Sequence, residues 1–442
     1  MALVVDIDDL GHRGMGIARH EGKVILVPLT APGDRVEVRI ARSHRSYDEG
    51  RMVRVLEPSP MRREPPCPHF GPCGGCQLQH LEIAHQHALK GRLFSQTLTR
   101  AGGVSQDALG PVLFTAEEFS YRARLELQAV GMPRPALGFK ALGSSDMVPI
   151  HRCLLAAPAL HPLVEAARGA LKSARVGDPL RVELACDAPG PGATMTLWTL
   201  GTPARRTVEA LRRAATEIPG LRGVFLNRGR GGAGACIWSD QGGVRGVVCG
   251  VPRPPHGEEM ALEAWPGVFS QVNPLANRLL VATVASWLGS GPLDRVLDLY
   301  AGMGNITLPL SGLARELLAV EINPRAVENG RANARRLGIR NIRWERAPAE
   351  AGVRRLLQRG ESFDLVILDP PRRGAREVLD GILSLAPRRI LYISCDPATL
   401  ARDLGHLGPS GGYEVLRTQP LDMFPQTFHL ESITLLQRTG RA

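Results

Sequence analysis

A cysteine stands where a strand gives way to a helix. Residues 389–393 are apolar and read as a strand. Ser394-Cys395-Asp396-Pro397 follows, then a polar, helix-compatible run at 399–404. Ligands gather at such strand ends in α/β folds, and a helix N-terminus lowers the pKa of a neighbouring thiol. Taken alone, the segment reads as readily as a buried cysteine packing as a small apolar side chain. A second group of thiols lies far upstream, in Cys67-Pro68-His69-Phe70-Gly71-Pro72-Cys73-Gly74-Gly75-Cys76. Three cysteines this dense, with a Gly-Gly pair between them, can wrap one metal centre. Cys153 is the candidate fourth ligand. Zinc held by four thiolates and a [4Fe–4S] cluster both use such a set. Zinc sites usually pair two C-x-x-C units; here one lone, distant cysteine takes the place of the second, which favours iron–sulfur.

A cofactor site is legible between these thiols. Residues 295–300 form an apolar strand that runs into Ala301-Gly302-Met303-Gly304-Asn305. The glycines let a ligand approach the backbone. A further strand at 317–320 ends in Glu321, where an acid suits the ribose hydroxyls of a nucleoside cofactor. No third glycine follows at the dinucleotide spacing, which favours S-adenosylmethionine, a cofactor without a pyrophosphate. The strand at 363–368 ends in Asp369-Pro370-Pro371-Arg372, where prolines stiffen the loop that holds the carboxylate.

These residues need elements to hold them. From Trp265 onward strands and helices alternate, as in a doubly wound sheet. Strands at 413–416 and 431–437 complete it, the second opening on Glu431. Upstream, short period-two runs at 3–7, 24–27, 35–40 and 52–56, punctuated by glycine and proline turns, predict a small β-barrel. Arg35, Arg39, Arg42, His44 and Arg45 offer it a basic face. Between the two lies an α+β region: a helix over 77–100, strands near 121–127, 181–184, 194–200 and 223–227, and a helix over 205–218. Arg122 and Arg124 are candidates for RNA contact or plain solvent exposure. The glycine-rich stretch 228–234 reads as a turn. The expected division is 1–57, 58–264 and 265–442.

A chain of 442 residues with 44% hydrophobic and 22% charged residues is globular and multidomain. Its net charge of +11 points to a polyanionic partner, most simply nucleic acid. The acidic N-terminus lacks the basic region of a secretory signal, and no apolar run is long enough to span a bilayer. A cytoplasmic protein, free of membrane and monomeric, is expected, and its eight cysteines are no disulfide framework.

Two resemblances sharpen this. Gly14-Met15-Gly16-Ile17-Ala18, Gly22-Lys23-Val24 and Pro32-Gly33-Asp34-Arg35-Val36 resemble a TRAM domain, an RNA-binding barrel. Nearly the whole chain resembles the TrmA/RumA-type family of RNA 5-methyluridine methyltransferases. The cysteine cluster, Phe269-Ser270-Gln271-Val272-Asn273, Asp298 to Asn305, Asp369-Pro370-Pro371-Arg372, Ser394-Cys395-Asp396-Pro397 and Phe428-His429-Leu430-Glu431 carry it. The resemblance implies a class I methyltransferase domain at the C-terminus and a nucleophilic Cys395. A Cys395 thiolate adds to uracil C6 and makes C5 nucleophilic; C5 takes the methyl group, and Glu431 removes the C5 proton so that the thiol leaves. The target base must leave its stack to be reached. Gln271, Tyr300, Asn305, Glu321 and Asp369 are implied to hold S-adenosylmethionine, and Cys67, Cys73, Cys76 and Cys153 a [4Fe–4S] cluster. Arg402 is a candidate to stabilise the Cys395 thiolate, as is the helix start at Pro397. Two departures stand out. Arg346-Ala347-Pro348 ends the third strand where the family commonly has a small acidic or amide residue, and Ala301 replaces a common cysteine.

The barrel and cluster together lean the substrate toward 23S ribosomal RNA over transfer RNA. Methylation of another nucleic-acid atom would use Asp369-Pro370-Pro371 without needing Cys395. A non-catalytic iron–sulfur RNA-binding protein would dispense with both.

Overall fold

The computed structural model describes residues 2–130, 136–174, 179–228, 234–240, 244–254, 257–289, 291, 293–409 and 411–440. Apart from its two ends, the expected glycine-rich turn at 228–234 lies outside the described residues.

Six strands open the chain: β1 (Ala2–Asp6), β2 (Asp9–Leu10), β3 (Gly16–His20), β4 (Lys23–Val27), β5 (Arg35–Ser43) and β6 (Tyr47–Glu57), in sheet order β1-β5-β6-β4-β3-β2. The sheet curls around Val5, Ile7, Ala18, Ile25, Val27, Val36 and Val38, the inward set of the period-two pattern. Gly16 hides β3 from a propensity reading, but a side chain there would collide with Thr30 Oγ1. Asp34 closes one end. Its carboxylate accepts from Arg62 Nε and Nη2, both at 2.7 Å, and from the Ala31 and Ser59 amides. Burial pushes its pKa up, yet these donors hold it below the ordinary carboxylate value.

The helix α1 (Ile83–Gly102) follows, ending at Gly103 in the left-handed region (φ 64°). It begins six residues later than the pattern predicts. The Gln77 and Leu78 amides are taken by the Gln426 carbonyl, 3.0 Å from each, so this stretch serves a distant loop instead of a helix. Though it precedes the central sheet, α1 packs against the C-terminal unit through Phe94 and Leu98.

The central sheet holds β7 (Arg124–Val130), β8 (Ala136–Lys140), β9 (Met147–Pro149), β10 (Pro179–Cys186), β11 (Ala193–Thr199), β12 (Leu221–Arg228) and β13 (Ala235–Ser239), in order β13-β12-β11-β10-β7-β8-β9. The helices α2 (His161–Ala174) and α3 (Arg205–Thr216) cover one face of it. A hairpin, β14 (Val247–Arg253) with β15 (Glu258–Ala264), leads onward.

The C-terminal unit contains α4 (Pro274–Leu288), β16 (Leu293–Leu299), β17 (Ala314–Glu321), α5 (Pro324–Arg336), β18 (Ile342–Arg346), α6 (Ala349–Gln358), β19 (Leu365–Leu368), α7 (Arg376–Leu385), β20 (Arg389–Ser394), α8 (Pro397–Leu407), β21 (Tyr413–Leu421) and β22 (Glu431–Arg438). Its sheet runs β18-β17-β16-β19-β20-β22-β21. The first five neighbours are parallel; β22 inserts antiparallel between β20 and β21. Strand order reverses at β16, so a crevice opens at the carboxyl ends of β16 and β19. Among the described residues, no helix is long and apolar enough to cross a membrane.

Candidate active site and RNA groove

The sheet register brings Cys395 and Glu431 together. Ser394 at the end of β20 pairs with Ser432 of β22 in an antiparallel ladder. Cys395 directly follows Ser394 and Glu431 directly precedes Ser432, and the two lie close enough for the Glu431 charge to act on the thiol. On the other side of β20, Leu368 pairs with Tyr392, so Asp369 emerges beside the same strand end.

The electrostatics follow. Burial raises the Cys395 thiol to about 12, and the negative charges of Glu431 and Asp369 add to the effect; Arg372 opposes them. Burial, then Asp369, raises Glu431 well above the ordinary carboxylate value. Burial holds Asp369 at about 7. The resting pocket therefore keeps its thiol protonated at neutral pH. Burial outweighs whatever the helix start contributes toward thiolate. Asp396 caps α8, accepting from the Ala398 and Thr399 amides at 3.0 Å, and its charge opposes a thiolate. Arg402 is misassigned. Its guanidinium binds Asp403 at 2.7 Å and the Arg373 carbonyl at 2.9 Å. The cation that favours the thiolate is Arg372, whose Nη2 lies 3.4 Å from His429 Nε2.

The cofactor candidates line the crevice. Tyr300 ends β16 in the left-handed region (φ 63°). Its hydroxyl is buried without a hydrogen-bond partner, and burial raises its pKa to about 12. A Cβ on Gly302 (φ 56°) would meet nothing within 4 Å, so the turn faces open space. Glu321 accepts from the Gly302 amide at 2.9 Å and the Asn323 amide at 2.7 Å, which pins the glycine turn to β17. Asn305 and Asn277 of α4 exchange two hydrogen bonds of 2.8 Å. That pair engages the Asn305 amide within the protein, latching the turn to α4. Gln271 is half-buried, and its segment is anchored by Asn273, which caps α4 at the Ala276 amide and donates to the Met423 carbonyl.

Asp298 carried no assigned role in the sequence reading. It is buried at the end of β16, and burial raises it to about 7; the Thr307 hydroxyl's hydrogen bond opposes that, while Asp369 and Glu321 add to it. Alternation within β16 was the available signal, since Asp298 interrupts an apolar strand. Ile322, directly after β17, is 61% exposed, which no periodicity reveals.

A groove of about 1020 Å³ runs up to Cys395. The 3-10 turn His12–Gly14 of the barrel, the loop after Cys73, α1, the β8–β9 turn and Phe428–His429 form its walls. Arg13, Lys90, Lys140 and Arg372 are its lysines and arginines, Lys90 being paired with Asp422. The barrel thus contributes this turn. Of its expected basic face, Arg35 meets Glu57, and His44 stacks on Tyr47 and bonds Glu49. Arg122 and Arg124 are both half-buried. Arg122 lies over Phe424 against the cysteine cavity, and Arg124 donates to the Val268 carbonyl.

Cys67, Cys73, Cys76 and Cys153 line one cavity of about 280 Å³ next to the groove. All four are free thiols. Burial, with the Cys153 charge adding, raises Cys76 to about 12. Among the described residues, no three His, Cys, Asp or Glu side chains converge tightly enough to hold a single metal ion.

Comparison with known proteins accords with this geometry. Residues 3–53 match the TRAM domain family, and residues 255–439 match the tRNA (Uracil-5-)-methyltransferase family. A 23S rRNA (uracil(1939)-C(5))-methyltransferase of Pectobacterium atrosepticum is 36% identical, covering 99% of this chain and 94% of its own. The chain belongs to the RNA uracil-C5 methyltransferase family. The corresponding enzyme of Salmonella typhimurium is 37% identical over 99% of this chain and 96% of its own. An uncharacterized RNA methyltransferase of Thermosynechococcus vestitus is 36% identical over 97% and 96%. In three dimensions the chain is similar to a Pyrococcus abyssi tRNA (uracil-54, C5)-methyltransferase in complex with S-adenosyl-L-homocysteine. The TM-score is 0.73 at 22% identity, covering 98% of this chain and 99% of that one. That likeness extends the family's fold to the whole chain. The protein is an S-adenosylmethionine-dependent RNA uracil-C5 methyltransferase.

Proposed function

We propose that Cys395 is the nucleophile and Glu431 the base of uridine C5 methylation, and that the substrate is 23S ribosomal RNA. The observation that carries this is the approach of Glu431 and Asp369 to Cys395 at the end of the β20–β22 ladder, where a groove with basic residues ends. The Cys395 thiolate adds to C6, and the C5=C6 electrons pass toward the C4 carbonyl. Arg372 offsets the thiolate charge. S-adenosylmethionine supplies an electrophilic methyl group, which C5 takes as the sulfonium–methyl bond breaks. Glu431 then removes the C5 proton; the released pair re-forms C5=C6 and the S–C6 bond breaks. Methylation of another base atom would leave this pairing without a use.

Tyr300, Glu321, Asp369 and Gln271 are assigned to the cofactor, with Asn305 holding the turn. The unpaired Tyr300 hydroxyl and the open face of Gly302 fit a ligand there. Asp369 and Glu321 add to the cost of ionising the buried Asp298, and a cationic sulfonium compound relieves that cost. Cys67, Cys73, Cys76 and Cys153 are assigned to a [4Fe–4S] cluster. Four thiols spread around a cavity fit a polynuclear group better than one ion. A monomeric, cytoplasmic protein with residues 1–57, 58–264 and 265–442 as its units is consistent with this reading.

Preference for ribosomal RNA follows the names of the full-length relatives. The test is nucleoside mass spectrometry of 23S RNA from a strain lacking the gene. One 5-methyluridine should disappear and return with the wild-type gene, but not with Cys395→Ala. Loss of 5-methyluridine from transfer RNA alone would refute the substrate assignment.

A further inference from the structure

The loop 422–430 joins β21 to β22 and delivers Glu431. The Glu431 backbone pairs with Leu421, and among the described residues no hydrogen bond holds its carboxyl, whose shift comes from burial and the Asp369 charge. Its position therefore depends on the backbone that brings it in. That backbone is fastened carbonyl by carbonyl. Met423 accepts from Asn273, Phe424 from Lys90 of α1, and Pro425 from the Tyr121 hydroxyl. The Gln426 carbonyl accepts both the Gln77 and Leu78 amides, the two residues directly after Cys76.

Gln426 is the centre of this arrangement. It is fully buried and adopts φ 70°, a conformation that side chains other than glycine rarely take. Its amide and side chain make a two-way pair with Gln86 of α1: the Gln86 side chain donates to Oε1 at 2.9 Å and accepts from the Gln426 amide at 3.0 Å. Its Nε2 donates to Glu118 at 3.2 Å, and Arg63 bonds the same Glu118 at 2.8 Å. A strained, buried residue with every polar group engaged is over-determined by its surroundings.

We infer that Gln426 is a positioning residue for proton removal, holding Glu431 in place through the loop and tying that placement to the cysteine loop. The inference rests on the reading of Cys395 and Glu431 given above. It separates two halves of the reaction. Cys395 and the glycine turn directly follow β20 and β16, outside this loop, while the loop touches Asn273 through Met423 and Arg372 through His429. Addition to C6 and methyl transfer should therefore survive its disturbance. Removal of the C5 proton to Glu431, with the pair re-forming C5=C6 and the thiolate leaving, should not. The enzyme would then stall as a covalent complex with methylated RNA.

Two full-length variants test this. Gln426→Gly keeps the left-handed backbone and removes the side chain. Gln86→Ala removes the partner without touching the loop, so the question stays answerable if the first variant fails to fold. With ordinary uridine RNA and S-adenosylmethionine, turnover should fall roughly tenfold to a hundredfold. KM for RNA should change far less. A denaturant-resistant protein–RNA complex carrying the transferred methyl should accumulate, and hydrogen exchange should quicken at 423–430. Wild-type turnover in both variants overturns the inference. So does lost turnover in a folded variant without the methylated complex. Failure of the wild type to trap 5-fluorouridine RNA would instead refute the underlying reading.

Discussion

Cys395 and Glu431 flank the Ser394–Ser432 pair that ends the β20–β22 ladder, and the Glu431 charge acts on the Cys395 thiol. Two segments whose reactive residues are 36 positions apart in the chain thereby meet, as the proposed roles of nucleophile and base require. The antiparallel insertion of β22 is what makes this possible, because it turns a strand start toward the carboxyl ends of the parallel strands.

If Glu431 takes the C5 proton, Glu431→Gln should leave addition and methyl transfer intact and block release. Turnover should drop by roughly 10²–10⁴-fold. Gel analysis in denaturant should show methylated RNA retained on the protein. Normal turnover would exclude Glu431 as the base.

The Cys395 thiol is raised to about 12, so thiolate is scarce at neutral pH and grows as pH rises. The initial rate of trapping by 5-fluorouridine RNA should climb with pH between 6 and 9, up to about tenfold per unit where thiolate limits the rate. Arg372→Ala removes the cation that favours thiolate, so it should slow trapping at every pH in that window. A flat profile would mean that RNA binding resets the thiol entirely.

How far the sequence revealed this site depends on the residue. Cys395 was legible because a β run, a proline and a helix-compatible stretch bracket it. Glu321 was legible from its distance to the glycine turn. The pairing of Cys395 with Glu431 was not, since strand register across the loop 422–430 leaves no periodic mark. Arg372 and Arg402 are indistinguishable as letters; only side-chain direction separates the cation facing the thiol from the one bound to Asp403. Arg122 and Arg124 looked like surface charges because alternation cannot tell solvent from a neighbouring unit. The late start of α1 has the same origin: Gln77 and Leu78 are spent on Gln426, a contact across more than three hundred residues.

His80 should make stability depend on pH. Burial lowers its pKa to about 4 from an unfolded value of 6.5, while Nε2 donates to the Thr30 carbonyl at 3.0 Å. Above pH 6.5 both states are neutral there and the contribution is complete. Between 6.5 and 4 only the unfolded chain takes the proton, so stability falls as pH falls, by up to about 3 kcal/mol at the lower end. Denaturant midpoints for wild type and His80→Gln should converge as pH drops through this window. Parallel curves would contradict the assignment.

For the cysteine cavity, protein purified without oxygen should be coloured and contain iron and sulfide, and Cys76→Ser should lose much of both. Colourless protein with one zinc per chain would replace the cluster with a zinc site.

The central claim is that Cys395 bonds to C6 of a uridine that Glu431 then releases. Wild-type protein, 5-fluorouridine RNA and S-adenosylmethionine should give a stable covalent complex, because fluorine at C5 cannot leave as a proton. Mass spectrometry of its peptides should place the RNA on Cys395, and Cys395→Ala should form no complex. Attachment at any other residue, or a complex that persists in Cys395→Ala, would contradict it.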